Sequence, residues 1–286
     1  MESLTARSAL NGFFRHAEDG FRLEGKAVIV TGAASGIGRS TAMRLVALRA
    51  RVVLVDQEAE GLASLAAELP PDHCRTITGD LSDADLAESA VEVALHEYGS
   101  IDSVVFAAGR RAIGNIADLS YRDFMASLET NVGVHFRLSR AILRHFQRLA
   151  PQRAACSLVY IVSKAAVAPS VGFGGYPIAK AAQLQLARVV AIEGAKYGVR
   201  ANVVNPGAVF EGSRFWDEEL VAEKAISHNI APENLETYYA RRTMLGLRVT
   251  PAEVAETVAF LVSPLSGATT GAIIPVDGGL PATFGR

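Results

Sequence analysis

A tyrosine at 176 and a lysine at 180 stand in the run GGYPIAK, residues 174–180. Residues four apart on a helix lie on one face, so the two side chains share it. A free phenol titrates at about 10 and is inert at neutral pH. A neighbouring ammonium and a helix N-terminus both favour the phenolate. Pro177 points to such a terminus, because proline is tolerated in the first helical turn and costly deeper in. The expectation is a phenol tuned downward into a usable acid/base. Lys180 is also within reach of a ribose hydroxyl on a cofactor. Ser163, at the end of a strand candidate, offers a hydroxyl to a substrate oxygen. Asn131 falls inside a long helical pattern in ETNVGVHF, where asparagine is a poor helix former with an amide to satisfy. It is placed to hold a water at a helix irregularity and pass protons on from Lys180.

A second constellation suits phosphate. The run VIVTGAASGIGRSTA, residues 28–42, sets Gly32, Gly36 and Gly38 between a strand and a helix. Gly32 permits a tight turn, Gly36 lets the backbone approach a pyrophosphate, and Gly38 allows close helix–strand packing. Free N–H groups at the helix start, around Ser35, Ile37 and Gly38, then face the anion. Asp56 ends the next strand candidate, where a carboxylate accepts from both ribose hydroxyls and repels a 2′-phosphate. NAD is therefore expected in preference to NADP, with Arg39 the one candidate partner for a phosphate. Asp80 and Leu81 end a third strand and suit an adenine ring.

These residues need a frame. Strands are predicted at Ala27–Thr31, Arg51–Val55, Cys74–Thr78, Ser103–Phe106, Leu158–Val162, Ala201–Val204 and Ala272–Val276. Several are apolar at consecutive positions, as in strands covered on both faces. Helical patterns lie between them, among them Ile37–Leu48, Asp83–Tyr98, Tyr121–Leu149 and Pro177–Tyr197. This alternation implies parallel strands joined by right-handed crossovers. The expected fold is α/β, a Rossmann-like doubly wound sheet of seven parallel strands with its ligand beyond their carboxyl ends. One domain is expected over 23–286, after an N-terminal extension at 1–22. The alternation breaks at residues 208–250, which carry aromatics and both charges and read as a substrate lid.

Composition narrows the classes. The chain has 286 residues, half of them hydrophobic and a fifth charged, which fits a compact enzyme. A net charge of -2 gives no field for nucleic acid or anionic lipid. No apolar run approaches the roughly 18 residues that cross a bilayer, and the first residues lack a signal-peptide core, so a cytoplasmic location is expected. Cys74 and Cys156 sit in apolar strands without metal-ligand spacing and read as buried thiols.

From about Leu23 to Gly279 the chain resembles the short-chain dehydrogenase/reductase family, of the compact NAD-type architecture. The matching motifs are TGAASGIG (31–38), Asp80-Leu81, Ala107-Ala108-Gly109, Asn131, Ser163, YPIAK (176–180), Asn205-Pro206-Gly207 and VDGG (276–279). The resemblance implies a tetrad. Tyr176 is the catalytic acid/base, Lys180 lowers its pKa and binds the nicotinamide ribose, Ser163 polarises the substrate oxygen, and Asn131 holds a water relay. It implies dimers or tetramers built partly from the helices carrying Asn131 and Tyr176. Two positions depart from the pattern. Phe106 stands where the family often has an amide and reads as strand core. Glu211 stands where the family places a threonine for the nicotinamide carboxamide, leaving the backbone of Val209 or Ser213 for that role. Stretches such as VSKAAVAPS and TTGAIIPVDGGLPATFGR also resemble the dehydrogenase part of bifunctional rhamnulose-phosphate aldolase/lactaldehyde dehydrogenases, which implies a small polar hydroxy or sugar-like substrate. Phe210, Arg214, Phe215, Trp216, Tyr238 and Tyr239 supply the lid, and aromatic faces suit carbohydrate. Arg110 and Arg111 follow the Ala107-Ala108-Gly109 turn and read as a solvated pair, with contact to an anionic substrate as the alternative. The rival reading is a non-catalytic NAD-sensing regulator that keeps the fold; its mark would be a damaged tetrad, and all four positions are filled. A sugar-nucleotide epimerase would need a larger carboxyl-terminal region.

Overall fold

Short runs of valine, isoleucine and leucine pair side by side in the computed structural model, which describes residues 21, 23–149 and 155–284. The strands are β1 (Ala27–Thr31), β2 (Arg51–Asp56), β3 (Cys74–Thr78), β4 (Ser103–Phe106), β5 (Cys156–Ile161), β6 (Val199–Pro206) and β7 (Ile273–Val276). All neighbours are parallel, in the order β3-β2-β1-β4-β5-β6-β7. The extension expected at 1–22 lies outside the described residues apart from Phe21.

The helices are α1 (Gly36–Ala47), α2 (Ala59–Glu68), α3 (Ala84–Tyr98), α4 (Tyr121–Leu128), α5 (Val134–Leu149), α6 (Gly175–Gly194), α7 (Glu218–Ser227), α8 (Leu235–Arg241) and α9 (Pro251–Val262). Side chains alternate across a strand, so each strand feeds two cores. On one face Ile29, Val104, Leu158 and Tyr160 meet Ala90 of α3, Leu138 of α5 and Leu184 of α6. On the other, Val28, Leu54 and Val159 meet Leu45 of α1, Leu62 of α2 and Val258 of α9. Phe106 is strand core as expected, stacked on Tyr160 at 4.3 Å between ring centres. Both cysteines are buried free thiols, and burial pushes their pKa values up.

The sheet's order reverses between β1 and β4. Thr31, at the end of β1, pairs with Val55 on one side and Phe106 on the other. The three strands thus end level, and the loops that follow them diverge around a cleft. Between β6 and α9 the expected lid contains two helices, α7 and α8. The single helix predicted over 121–149 is broken by a π-helical turn at Glu129–Gly133, which separates α4 from α5.

Candidate active site

A cavity of about 570 Å³ runs along the carboxyl ends of the strands. Of the residues singled out by sequence, Gly32, Ser35, Gly36, Ile37, Gly38, Asp56, Asp80, Leu81, Ala107, Ala108, Gly109, Ser163, Tyr176, Lys180, Pro206, Gly207 and Val209 all line it. Asn131 does not; it lies fully buried behind the wall.

At the glycine end the loop has no room for side chains. Gly32 has φ +67, and a Cβ there would stand 2.6 Å from the backbone nitrogen of Ala108. A Cβ on Gly38 would stand 2.0 Å from the carbonyl oxygen of Gly32, so helix α1 starts hard against β1. Asp56 is held by two backbone donors, Ala34 N at 2.9 Å and Glu58 N at 3.1 Å. Arg39 donates to Glu68 at 2.6 Å, so the expected candidate phosphate partner is already engaged. A tight glycine loop opening a helix, with a fixed carboxylate beside it, fits a dinucleotide.

At the other end Tyr176 sits in the first turn of α6, as Pro177 predicts. Its phenol does not follow the expected direction. Burial pushes it up to about 12, and only the hydroxyl of Ser163 draws it back. Lys180 explains the correction. Its Nζ lies 5.8 Å from the centre of the Tyr176 ring and donates to Ile161 O at 3.0 Å and Gln183 Oε1 at 2.8 Å. Burial lowers this ammonium to about 7, which weakens the cation that the sequence reading relied on.

Behind these residues, Asn131 Nδ2 donates to Arg110 O at 2.6 Å and Ser127 O at 2.9 Å across the π-turn. Its Oδ1 is buried without a protein partner among the described residues, an acceptor suited to the expected water. Two further polar residues were missed by sequence reasoning. Gln183 Nε2 lies 2.8 Å from His135 Nδ1, extending a buried chain from Lys180 through Gln183 to His135. Their signal was available as polar residues one helical turn after Lys180 and after Asn131.

The segment expected as a lid, residues 208–250, brings aromatic side chains to the cavity. Phe215 lies 5.0 Å from Tyr176 and stacks on Phe173 at 6.4 Å; Trp216 packs on Phe210 at 4.3 Å and on Tyr239 at 5.4 Å. Polar contacts tie it down: Gly36 N to Gly212 O at 2.9 Å, Arg214 to Glu58 at 2.8 Å, and Arg111 to Phe215 O at 2.6 Å and to Asp217. Arg111 is therefore bonded to this segment rather than solvated. Among the described residues no cluster of histidine, cysteine and carboxylate side chains suits a metal, and no helix is long and apolar enough to cross a membrane.

Known proteins carry the same organisation. A family model described as enoyl-(acyl carrier protein) reductase matches residues 32–281. The chain is 32% identical over 91% of its length to the uncharacterized oxidoreductase YuxG of Bacillus subtilis, of which it spans only 38%. It is also 32% identical over 91% of its length to the L-tagatose-forming galactitol 2-dehydrogenase of Cereibacter sphaeroides, spanning 96% of that enzyme. A solved actinorhodin polyketide ketoreductase with NADPH superposes with a TM-score of 0.80 at 28% identity, covering 89% of this chain and 97% of that one. Fold and site define an oxidoreductase of alcohol and carbonyl groups with a nicotinamide cofactor. The chain belongs to the short-chain dehydrogenase/reductase family.

Proposed function

We propose that the protein is an NAD-dependent dehydrogenase of a secondary alcohol in a small polar substrate: a sugar, polyol or hydroxyaldehyde. The observation that carries this reading is one continuous cavity with Asp56 at one end and Tyr176, Ser163 and Lys180 at the other. The galactitol dehydrogenase relative supports the substrate class. For the cofactor, Asp56 is held facing the cavity, and the two arginines nearest it, Arg39 and Arg214, are engaged by Glu68 and Glu58, so a 2′-phosphate would meet a carboxylate whose neighbouring cations are already paired.

Gly32, Ser35, Gly36 and Ile37 would hold the pyrophosphate, Asp56 the adenosine ribose, Asp80 and Leu81 the adenine, and Lys180 the nicotinamide ribose. The backbone of Val209 or Ser213 would hold the carboxamide. When bound, oxidised nicotinamide accepts the hydride, and its ring charge favours a phenolate beside it. Ser163 donates to the substrate oxygen and orients it towards Tyr176. Tyr176 Oη removes the hydroxyl proton in oxidation and returns it in reduction. Lys180 and a water held near Asn131 resupply that proton from behind the wall. Phe173, Phe215 and Trp216 exclude bulk water from the reacting atoms.

We also propose a homo-oligomer, supported by apolar side chains exposed on the outer faces of α4–α6. The test is a panel of polyols, aldoses and hydroxy acids with NAD and with NADP, following formation of the reduced nicotinamide. Tyr176→Phe should lower kcat by about 10²–10⁴-fold while NAD binding is kept. Cofactor binding without turnover of any substrate would instead mark a sensor, and a preference for NADP would overturn the role given to Asp56.

A further inference from the structure

The charges that line the cavity are sorted by position. Its carboxylates are Asp56, Glu58 and Asp80, all beyond β2 and β3 at the adenosine end. Arg214 is paired with Glu58 at that same end, and around Tyr176 the charged lining residues are basic: Arg110, Lys164 and Lys180. Lys180 is committed to Ile161 and Gln183. Arg110 is exposed at the rim. Lys164 is different. It follows Ser163 directly in the chain, in a short 3-10 turn, and its side chain crosses to the lid, where Nζ lies 4.9 Å from the centre of the Tyr239 ring. Among the described residues it has no hydrogen-bonding or ion-pair partner.

A half-buried ammonium held only by a ring face is under-compensated. Burial and then Arg242 draw its pKa down to about 8, with Asp277 opposing them. Asp277 supplies no direct partner, because its oxygens accept from Gly279 N, Leu280 N and Thr283 Oγ1. The other buried cation nearby, Lys224, lies behind Phe173 and is paired with Glu223 at 2.9 Å. Lys164 thus offers a cation into the cavity, beside the hydroxyl that orients the reacting oxygen.

We infer that Lys164 is a specificity residue that binds an anionic group of the substrate, a carboxylate or a phosphate ester carried on the hydroxylated body. This deepens the dehydrogenase reading and rests on it for the identity of the site. The aromatic wall of Phe215, Trp216 and Tyr239 then faces the carbon chain, and the anion supplies Lys164 Nζ with the partner it lacks among the described residues. A neutral polyol would leave that charge partly desolvated and unpaired, which sets acid and phosphate congeners above it.

The experiment uses sets of congeners: glycerol, threitol and ribitol, each against its terminal carboxylate and its terminal phosphate ester. Two readouts are taken, NAD reduction and quenching of Trp216, the chain's one tryptophan, which lines the cavity. In the wild type at least one anionic congener should exceed its neutral parent at least tenfold in kcat/KM and in binding. Carboxylate and phosphate arms separate the two sources of anion. Lys164→Met should lose that advantage with the neutral parent changed less than about twofold, and Lys164→Arg should retain most of it; a purely structural prop for Tyr239 would lower both parents alike. Equal use of neutral and anionic congeners, or an equal loss on both in Lys164→Met, overturns the inference while leaving the dehydrogenase reading intact. Charge-selective quenching without any NAD reduction would leave Lys164 as the anion site and overturn the dehydrogenase reading instead. Should Lys164→Met fail to fold, Lys164→Gln takes its place, with NAD binding as the check on integrity.

Discussion

His135 is a fully buried imidazole, and its protonation state follows from its neighbours one bond at a time. Lys180 occupies Gln183 Oε1, so Gln183 can offer His135 only its amide N–H. His135 Nδ1 must then accept, and the ring is neutral with its proton on Nε2, a buried nitrogen with no hydrogen-bond partner among the described residues. Burial first, and then the charge of Lys180, lower its pKa to about 3. Below the ordinary histidine value of about 6.5 the unfolded chain binds a proton that the folded chain refuses. Stability therefore falls as pH drops from about 6.5 towards 3, by up to about 1.4 kcal/mol per pH unit from this group. Urea unfolding at a series of pH values should show that limb in the wild type. His135→Leu should be less stable at pH 7, having orphaned the Gln183 amide, yet lose stability less steeply on acidification. Equal slopes in both proteins would refute a neutral buried His135. The sequence exposed this chain only in part. Asn131 drew notice because an amide breaks a helical pattern, whereas Gln183 and His135 acquire meaning only when α5 and α6 face each other. The same holds for the phenol of Tyr176: the spacing reveals a lysine one turn away, but the direction of the shift depends on how deeply both groups are buried.

Elements whose boundaries are set by local chemistry match the sequence reading closely. Pro177 lies in the first turn of α6, which begins two residues before the expected start, at Gly175, and consecutive β-branched residues mark the sheet. Where tertiary pairing sets the boundary, the reading falls short. Strands β5 and β6 begin at Cys156 and Val199, two residues before the predicted starts, because those two residues pair with each other across the sheet. The lid was predicted to end at Thr250, and that residue proves to be the N-cap of α9, in a capping box with Glu253. What holds the lid down was not legible, since it depends on Arg111 reaching a residue far along the chain. The pair of Arg111 with Asp217 is exposed to solvent and screened, so it contributes little to stability. Global stability rests on the two cores flanking the sheet, and the segment itself is packed through buried Leu220 and Leu235 and the stack of Phe210 on Trp216. Arg111→Ala should accordingly speed proteolytic cleavage within 208–217 and raise KM several-fold, while Tm changes by less than about 4 °C. Unchanged cleavage would show that the aromatic contacts alone seat the segment.

At the scale of the whole molecule, the helices that carry Asn131 and Tyr176 on their inner sides present apolar residues outward. Tyr121 on α4 is 76% exposed, Phe136 on α5 51%, and Ile192 on α6 79%, with Met125, Ile178 and Val189 also exposed on the same helices. Scattered exposed side chains need no explanation, but a run of them along adjoining helices is unusual for a monomer. A second copy covering this face would remove that surface from water and brace α5 and α6 from behind. It would then also hold the chain from Lys180 to His135 in register, linking assembly to the geometry of Tyr176. Light scattering after gel filtration should return a dimer or tetramer mass for the wild type. A charge at the most exposed point, Ile192→Glu, should shift the mass towards the monomer and lower Tm, because the added carboxylate would be desolvated at the interface. Activity per chain should fall with dilution of Ile192→Glu and recover on concentration, as expected when assembly is governed by mass action. A monomeric wild type at micromolar concentration, with full activity, would show that the outward face of α4–α6 plays no part in holding the site.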